Sequence, residues 1–188
     1  DHLLKKAKSR DERLNLLNKR IENLRTTIFR QVMFAEYELA IHREVEGGGA
    51  LTSERMAEIY GMLVKKYYGP GYTFDADDGY EWAYIPHFYY NFYVYQYATG
   101  LISAIALSRP VLAGDAAAVK RYLHFLSSGG SDFPIPTLKA AGVDLTAPDS
   151  MQPAFDLFAA TLDEIERTLA EPRQGRPGNA PRPTPVVS

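Results

Sequence analysis

Apolar residues recur at three- and four-residue intervals through most of the chain. From Ser9 to about Glu46 they fall at Leu14, Leu17, Ile21, Leu24, Ile28, Val32, Ala35, Leu39 and His42. That spacing predicts one long amphipathic helix or two nearly collinear ones, opened by Ser9 with Asp11 and Glu12 and ended by Gly47-Gly48-Gly49. A second helix is expected from Thr52 or Ser53, burying Met56, Ile59, Tyr60, Leu63 and Tyr67 before Gly69-Pro70-Gly71 stops it. Asp115 is placed to cap a short helix that buries Val119, Tyr122, Leu123 and Leu126. A brief helix follows over Thr137 to Ala141, ending at Gly142. The last runs from near Ser150 to about Leu169, with Phe155, Phe158, Leu162, Ile165 and Leu169 as its stripe. Strand-like alternation and internal repeats are not found. The expected fold class is all-α, a multi-helix array of about six helices over residues 1–171, followed by a Pro-rich extended tail over 172–188.

The segment from Ile85 to Gly100 differs from the rest. Six of the chain's thirteen tyrosines lie between Tyr84 and Tyr97, with one of its four histidines. Pro86 suits a first helical turn, so a helix is expected from there to about Ser108, with Arg109-Pro110 breaking the pattern. At roughly 100° per residue, His87, Tyr90, Val94, Tyr97 and Leu101 share one side. Tyr90 and Tyr97 nearly eclipse, and Tyr89, Phe92, Tyr93 and Gln96 lean to another side. Two readings are open. The helix is a core element whose tyrosines cap loose carbonyls, or its phenols and imidazole line a cleft and hold a peptide carbonyl or its developing oxyanion.

Other polar clusters carry less chemistry. Glu38, His42 and Glu46 recur every four residues, a spacing open to a divalent cation but more often a solvated pair, and we read it as solvated. The stretch Asp75-Ala76-Asp77-Asp78-Gly79 is not a calcium loop, because its glycine comes one position early and Pro86 stands where the twelfth-position glutamate belongs. Asp77 and Asp78 are expected to form a turn or cap before Trp82. Ser127-Ser128-Gly129-Gly130-Ser131-Asp132 lacks the lysine and strand of a phosphate loop, which leaves a connector, or backbone donors from Gly129 and Gly130 beside a bound peptide.

Composition bounds the rest. The chain has 188 residues, 46% of them hydrophobic, enough for a sizeable core. A net charge of −2 gives no electrostatic case for nucleic acid or an anionic membrane. With no cysteine, disulfides, thiolate metal sites and a cysteine nucleophile are excluded. No apolar run approaches the roughly 20 residues that span a bilayer. The opening Asp1-His2-Leu3-Leu4 has neither an initiator methionine nor a signal peptide's apolar segment, and reads as a cut through a longer polypeptide.

Five blocks together resemble the C-terminal part of the oligoendopeptidase F family, zinc metallopeptidases related to thimet oligopeptidase. They are the stretch Thr27 to Glu38, Trp82-Ala83-Tyr84-Ile85-Pro86-His87-Phe88-Tyr89-Tyr90, the stretch Phe92 to Gly100, Leu126-Ser127-Ser128-Gly129-Gly130-Ser131, and the stretch Leu138 to Asp144. They occur in the family's order over roughly residues 10 to 170. The resemblance implies part of a helical clamshell with a deep channel. It also implies zinc in the full-length enzyme, held by an H-E-x-x-H helix and a downstream glutamate. In that motif two histidines one turn apart bind the metal and the glutamate between them activates its water. His2, His42, His87 and His124 do not make the motif, so the zinc ligands are expected before Asp1 and no metal is expected on this chain.

What the resemblance gives this segment is the wall opposite the zinc. Tyr97, Tyr90 and His87 are the expected catalytic positions, where phenols steady the oxyanion and the imidazole orients the substrate backbone. Tyr93, Gly129 and Gly130 are the expected substrate-binding positions, and Tyr90 and Tyr93 remain alternatives for the ring that faces substrate. The implied partners are short peptides and the missing N-terminal part of the same polypeptide, in the cytoplasm, and the isolated chain is expected to be inactive. The other reading is a non-catalytic helical module that binds a peptide or partner helix in an aromatic groove.

Overall fold

The computed structural model describes residues 2–172, so the expected Pro-rich tail lies, save for Pro172, outside the described residues. Among those residues there are eight α-helices and no strands: α1 His2–Lys6, α2 Arg10–Leu24, α3 Arg30–Glu46, α4 Ser53–Tyr68, α5 Tyr95–Leu112, α6 Ala116–Ser128, α7 Pro134–Ala141 and α8 Gln152–Ala170. Helices outnumber the expected six because α1 adds a turn and the long first helix is divided.

That division has a physical consequence. Residues Arg25–Phe29 form a π-helical turn between α2 and α3, so the chain stays helical from 10 to 46 but takes in one extra residue. Through that turn the expected stripe holds, with Leu17, Leu24 and Ile28 buried. Beyond it the inward face shifts to Met33, Phe34, Tyr37, Glu38 and Ile41, while Val32 and Leu39, expected inside, are each 40% exposed. The caps fall as the residue types dictate. Ser9 accepts from the amide of Glu12, Thr52 from Arg55, and Asp115 from Ala117 and Ala118.

α3 and α4 carry the larger core, in which Met33, Phe34, Tyr37 and Ile41 meet Ile59, Tyr60, Leu63 and Val64. Over it lies a 3-10 segment, Ala76–Tyr84, started by Asp75 and Asp78, each accepting an amide of the other's end. Asp78 is thus in the cap as expected, but the capping residue itself is Asp75. Close approach of this segment's leading loop needs Gly61 on α4, where an added Cβ would stand 2.9 Å from the Phe74 ring. A second core joins Leu24 and Ile28 to Ala98, Ile102 and Ile105 of α5 and Ala154 of α8.

Elsewhere the expected faces turn. On α6 the inward residues are Ala118, Tyr122 and Phe125, whereas Leu123 and Leu126 are exposed. On α8 the fully buried positions are Ala154, Thr161 and Thr168, with Phe155, Leu162 and Leu169 outside. Two threonines can face inward there because each hydroxyl donates to the carbonyl four residues back, Leu157 at 2.6 Å and Glu164 at 2.7 Å. α7 begins at Pro134, before the expected Thr137. α5 runs two residues past Pro110, and the amides of Ala113 and Gly114 close its end.

Candidate active-site wall: an imidazole among phenols

The expected single helix from Pro86 to Ser108 is not formed. Pro86 opens only a 3-10 turn, Pro86–Tyr89, and α5 does not start until Tyr95. Between them the chain reverses through Asn91 and Phe92, at φ 49° and 57°, a left-handed conformation that non-glycine residues rarely adopt. Tyr90 and Tyr97 therefore do not eclipse on one helix, and Val94 does not share Tyr97's face but is wholly buried in the α3–α4 core.

The turn brings the expected polar tips together by another route. His87 Nε2 and the Tyr97 hydroxyl lie 2.9 Å apart in a hydrogen bond. Tyr93, which a helical wheel leans away, stacks on the His87 ring at 5.9 Å and 16°. Tyr97 meets both rings edge-on, at 5.4 Å from His87 and 5.5 Å from Tyr93. Tyr90 closes the group edge-on at 6.5 Å from His87. The cluster is open to solvent: Tyr97 is 37%, Tyr93 42% and Tyr90 67% exposed. The sealed core helix of the first reading is not formed, and its tyrosines are exposed in this segment.

Desolvation among these rings, with the Tyr93 phenol beside it, holds the Tyr97 phenol above its ordinary range. It is a proton donor at neutral pH. With the imidazole protonated on Nε2, the ring donates to the phenol oxygen, and the phenol proton is shared with the Tyr93 hydroxyl beside it. Such a group can orient a carbonyl and stabilise negative charge developing on it.

The platform under the turn is α3. Its Phe34 and Tyr37 hold the Phe88 ring edge-on at 5.5 and 5.0 Å. Its Glu38, 1% exposed, accepts the Phe92 amide at 2.6 Å, and its His42 ring lies 4.6 Å from that of Phe92. Glu38 is thus not part of a solvated stripe, and sequence reasoning missed its place. The available signal was the four-residue spacing of Phe34, Glu38 and His42, which puts all three on one side of α3.

Gly129 and Gly130 lie elsewhere, in the turn from α6 to α7, with Gly129 at φ 55°. Near them an apolar cavity of about 1310 Å³ opens between α5, α6 and α7, floored by Thr99, Ser103, Tyr122, Phe125, Phe133 and Leu138. Among the described residues no three His, Asp or Glu side chains gather to hold a metal ion. No helix among them is long and apolar enough to cross a membrane.

Comparison with known proteins identifies the family. The sequence profile of peptidase family M3 matches residues 1–157. Oligopeptidase PepF of Bacillus subtilis is 46% identical over 174 residues, which are 93% of this chain and 26% of that protein. The plasmid-encoded oligoendopeptidase F of Lactococcus lactis subsp. cremoris is 43% identical, over 89% of this chain and 28% of its own. The crystal structure of oligoendopeptidase-F from Enterococcus faecium superposes with a TM-score of 0.85 at 41% identity, over 89% of this chain and 32% of that one. The chain thus spans about a quarter to a third of the length of these relatives.

Proposed function

The chain belongs to peptidase family M3, and on that footing we propose that it is the C-terminal segment of a zinc-dependent oligopeptidase that hydrolyses short peptides. Its part is the substrate-binding, oxyanion-stabilising wall. The observation that carries this is the open cluster of His87, Tyr93 and Tyr97, with the Tyr97 phenol kept protonated beside the imidazole at 2.9 Å. Tyr97 donates a hydrogen bond to the oxygen of the scissile carbonyl as negative charge grows there. His87 holds Tyr97 in place and orients the substrate backbone. Tyr90, the most exposed of the group, is a second donor, and Tyr93 braces the imidazole from its face.

Zinc is a requirement of the full-length enzyme, with its ligands outside this chain, and the isolated segment is inactive. The rest of the same polypeptide covers apolar surface that this segment exposes, such as Leu112, Leu123, Leu126 and Phe133. Backbone amides at Gly129 and Gly130 add donors to the peptide, and the protein acts in the cytoplasm. The second reading, a non-catalytic module that docks a peptide or partner helix, draws on the cavity between α5, α6 and α7.

Tyr97→Phe in the full-length protein tests the role of this residue in the first reading. It removes one hydroxyl and no ring, so kcat for a short fluorogenic peptide is expected to fall with zinc content unchanged. Unaltered turnover would remove Tyr97 from the mechanism.

A further inference from the structure

We infer that Glu38 is a positioning residue for the wall: its buried carboxylate fixes the left-handed turn at Asn91 and Phe92, and so sets where Tyr90 and Tyr93 stand around His87 and Tyr97. The inference rests on the function proposed above and names a residue on a different helix as its support.

Three observations converge on it. The turn carries two consecutive non-glycine residues at positive φ, a conformation that persists only where the surroundings impose it. The Phe92 amide, in the middle of that strain, donates to Glu38 Oε1 at 2.6 Å, a bond to a carboxyl group only 1% exposed. On both sides of the turn the chain is held to the same core, by Phe88 against Phe34 and Tyr37 and by the buried Val94. The 3-10 turn before and α5 after are therefore fixed by hydrophobic packing, and the reversal between them hangs on one amide-to-carboxylate bond. His42 steadies the Phe92 ring from the next turn of α3.

Without that acceptor the backbone at 91–92 has no reason to stay left-handed. It relaxes toward an ordinary conformation and rotates the flanking Tyr90 and Tyr93 out of the cluster. Tyr97 stays where α5 puts it, losing the ordered neighbours that hold the His87 ring. Transition-state contacts at Tyr97 loosen, so kcat falls while KM changes little.

The test is steady-state kinetics on the full-length peptidase with a short fluorogenic peptide. Glu38→Leu keeps the buried volume and removes the acceptor, and is expected to lower kcat about 100-fold, the scale of a misplaced catalytic group, with KM near the wild-type value. Glu38→Gln keeps an acceptor oxygen at the same reach and is expected to rescue most of the loss. In a Tyr97→Phe background Glu38→Leu is expected to cost far less than alone, because both act on one step. Should Glu38→Leu not fold, Glu38→Asp, one methylene short of the amide, is expected to show the same kcat loss with faster hydrogen exchange at residues 91–93. A wild-type kcat in Glu38→Leu or Glu38→Asp overturns the inference while leaving the proposed function intact if Tyr97→Phe is impaired. An unimpaired Tyr97→Phe overturns the oxyanion role proposed for Tyr97, on which the inference rests.

Discussion

Two groups of tyrosines lie side by side in this segment and differ in what their hydroxyls meet. Around Glu81 the phenols are committed. Tyr60, wholly buried, donates to the Glu81 carboxylate, which also pairs with Arg30 and receives the Tyr84 hydroxyl at 3.4 Å. Nearby, Tyr67 donates to Glu36 at 2.9 Å and Tyr72 to Asp78 at 3.0 Å. Around His87, by contrast, the Tyr97 hydroxyl meets an imidazole that can take either role in the bond, and the rings brace one another while their edges face solvent. Aromatic density alone does not distinguish the groups. A phenol spent on an internal carboxylate is scaffold, whereas a phenol kept protonated at an open edge is available to a substrate.

Substitutions can break or sharpen that contrast. The largest effect is expected at the open group, where Tyr97→Phe in the full-length peptidase should cost about 100- to 1000-fold in kcat, the loss seen when one oxyanion donor is removed, and leave the melting temperature near wild type. The same atom deleted from the committed group should do the reverse. Tyr60→Phe leaves the part-buried Glu81 carboxylate short of a donor and should destabilise the protein by about 1–3 kcal/mol in thermal unfolding, with kcat unchanged. A smaller gain is expected at Tyr37, whose buried hydroxyl finds no partner among the described residues. Tyr37→Phe should stabilise by about 1 kcal/mol, since the ring stays and an unsatisfied oxygen goes.

Smallest is an acid-side effect. The Glu36 carboxyl is held below its ordinary 4.5 by the Lys66 ammonium, with Tyr67 adding to it. A depressed carboxyl adds stability that is present above 4.5 and lost as pH falls through its lower folded value. Melting temperature measured against pH should therefore drop less steeply on the acid side in Glu36→Gln than in wild type.

Much of this architecture was legible in the sequence. Helix starts at Ser9, Thr52 and Asp115 follow from side chains that accept orphan amides, and the all-helical class from unbroken three-and-four spacing. His87 and Tyr97 could be singled out from motif resemblance, and they do meet. Their geometry was not legible, for two physical reasons. A π-turn leaves no mark in residue type, yet it rotates every later position on its helix, which is how Glu38 came to lie under the site. A left-handed turn at Asn91 and Phe92 carries no glycine to announce it, because its cause is a carboxylate distant in sequence. The outward faces of α6 and α8 were misread because apolar spacing shows which residues are hydrophobic. It does not show which neighbour lies beside them.

The central claim, that the open phenols act on the transition state and not on bound substrate, has one direct measurement. A phosphinic peptide presents tetrahedral anionic oxygens where the scissile bond would be, so its inhibition constant against wild type and Tyr97→Phe reads transition-state binding alone. The account predicts that this constant rises in proportion to the fall in kcat/KM while KM stays constant. An inhibition constant that does not change, or a loss that appears entirely in KM, would contradict it.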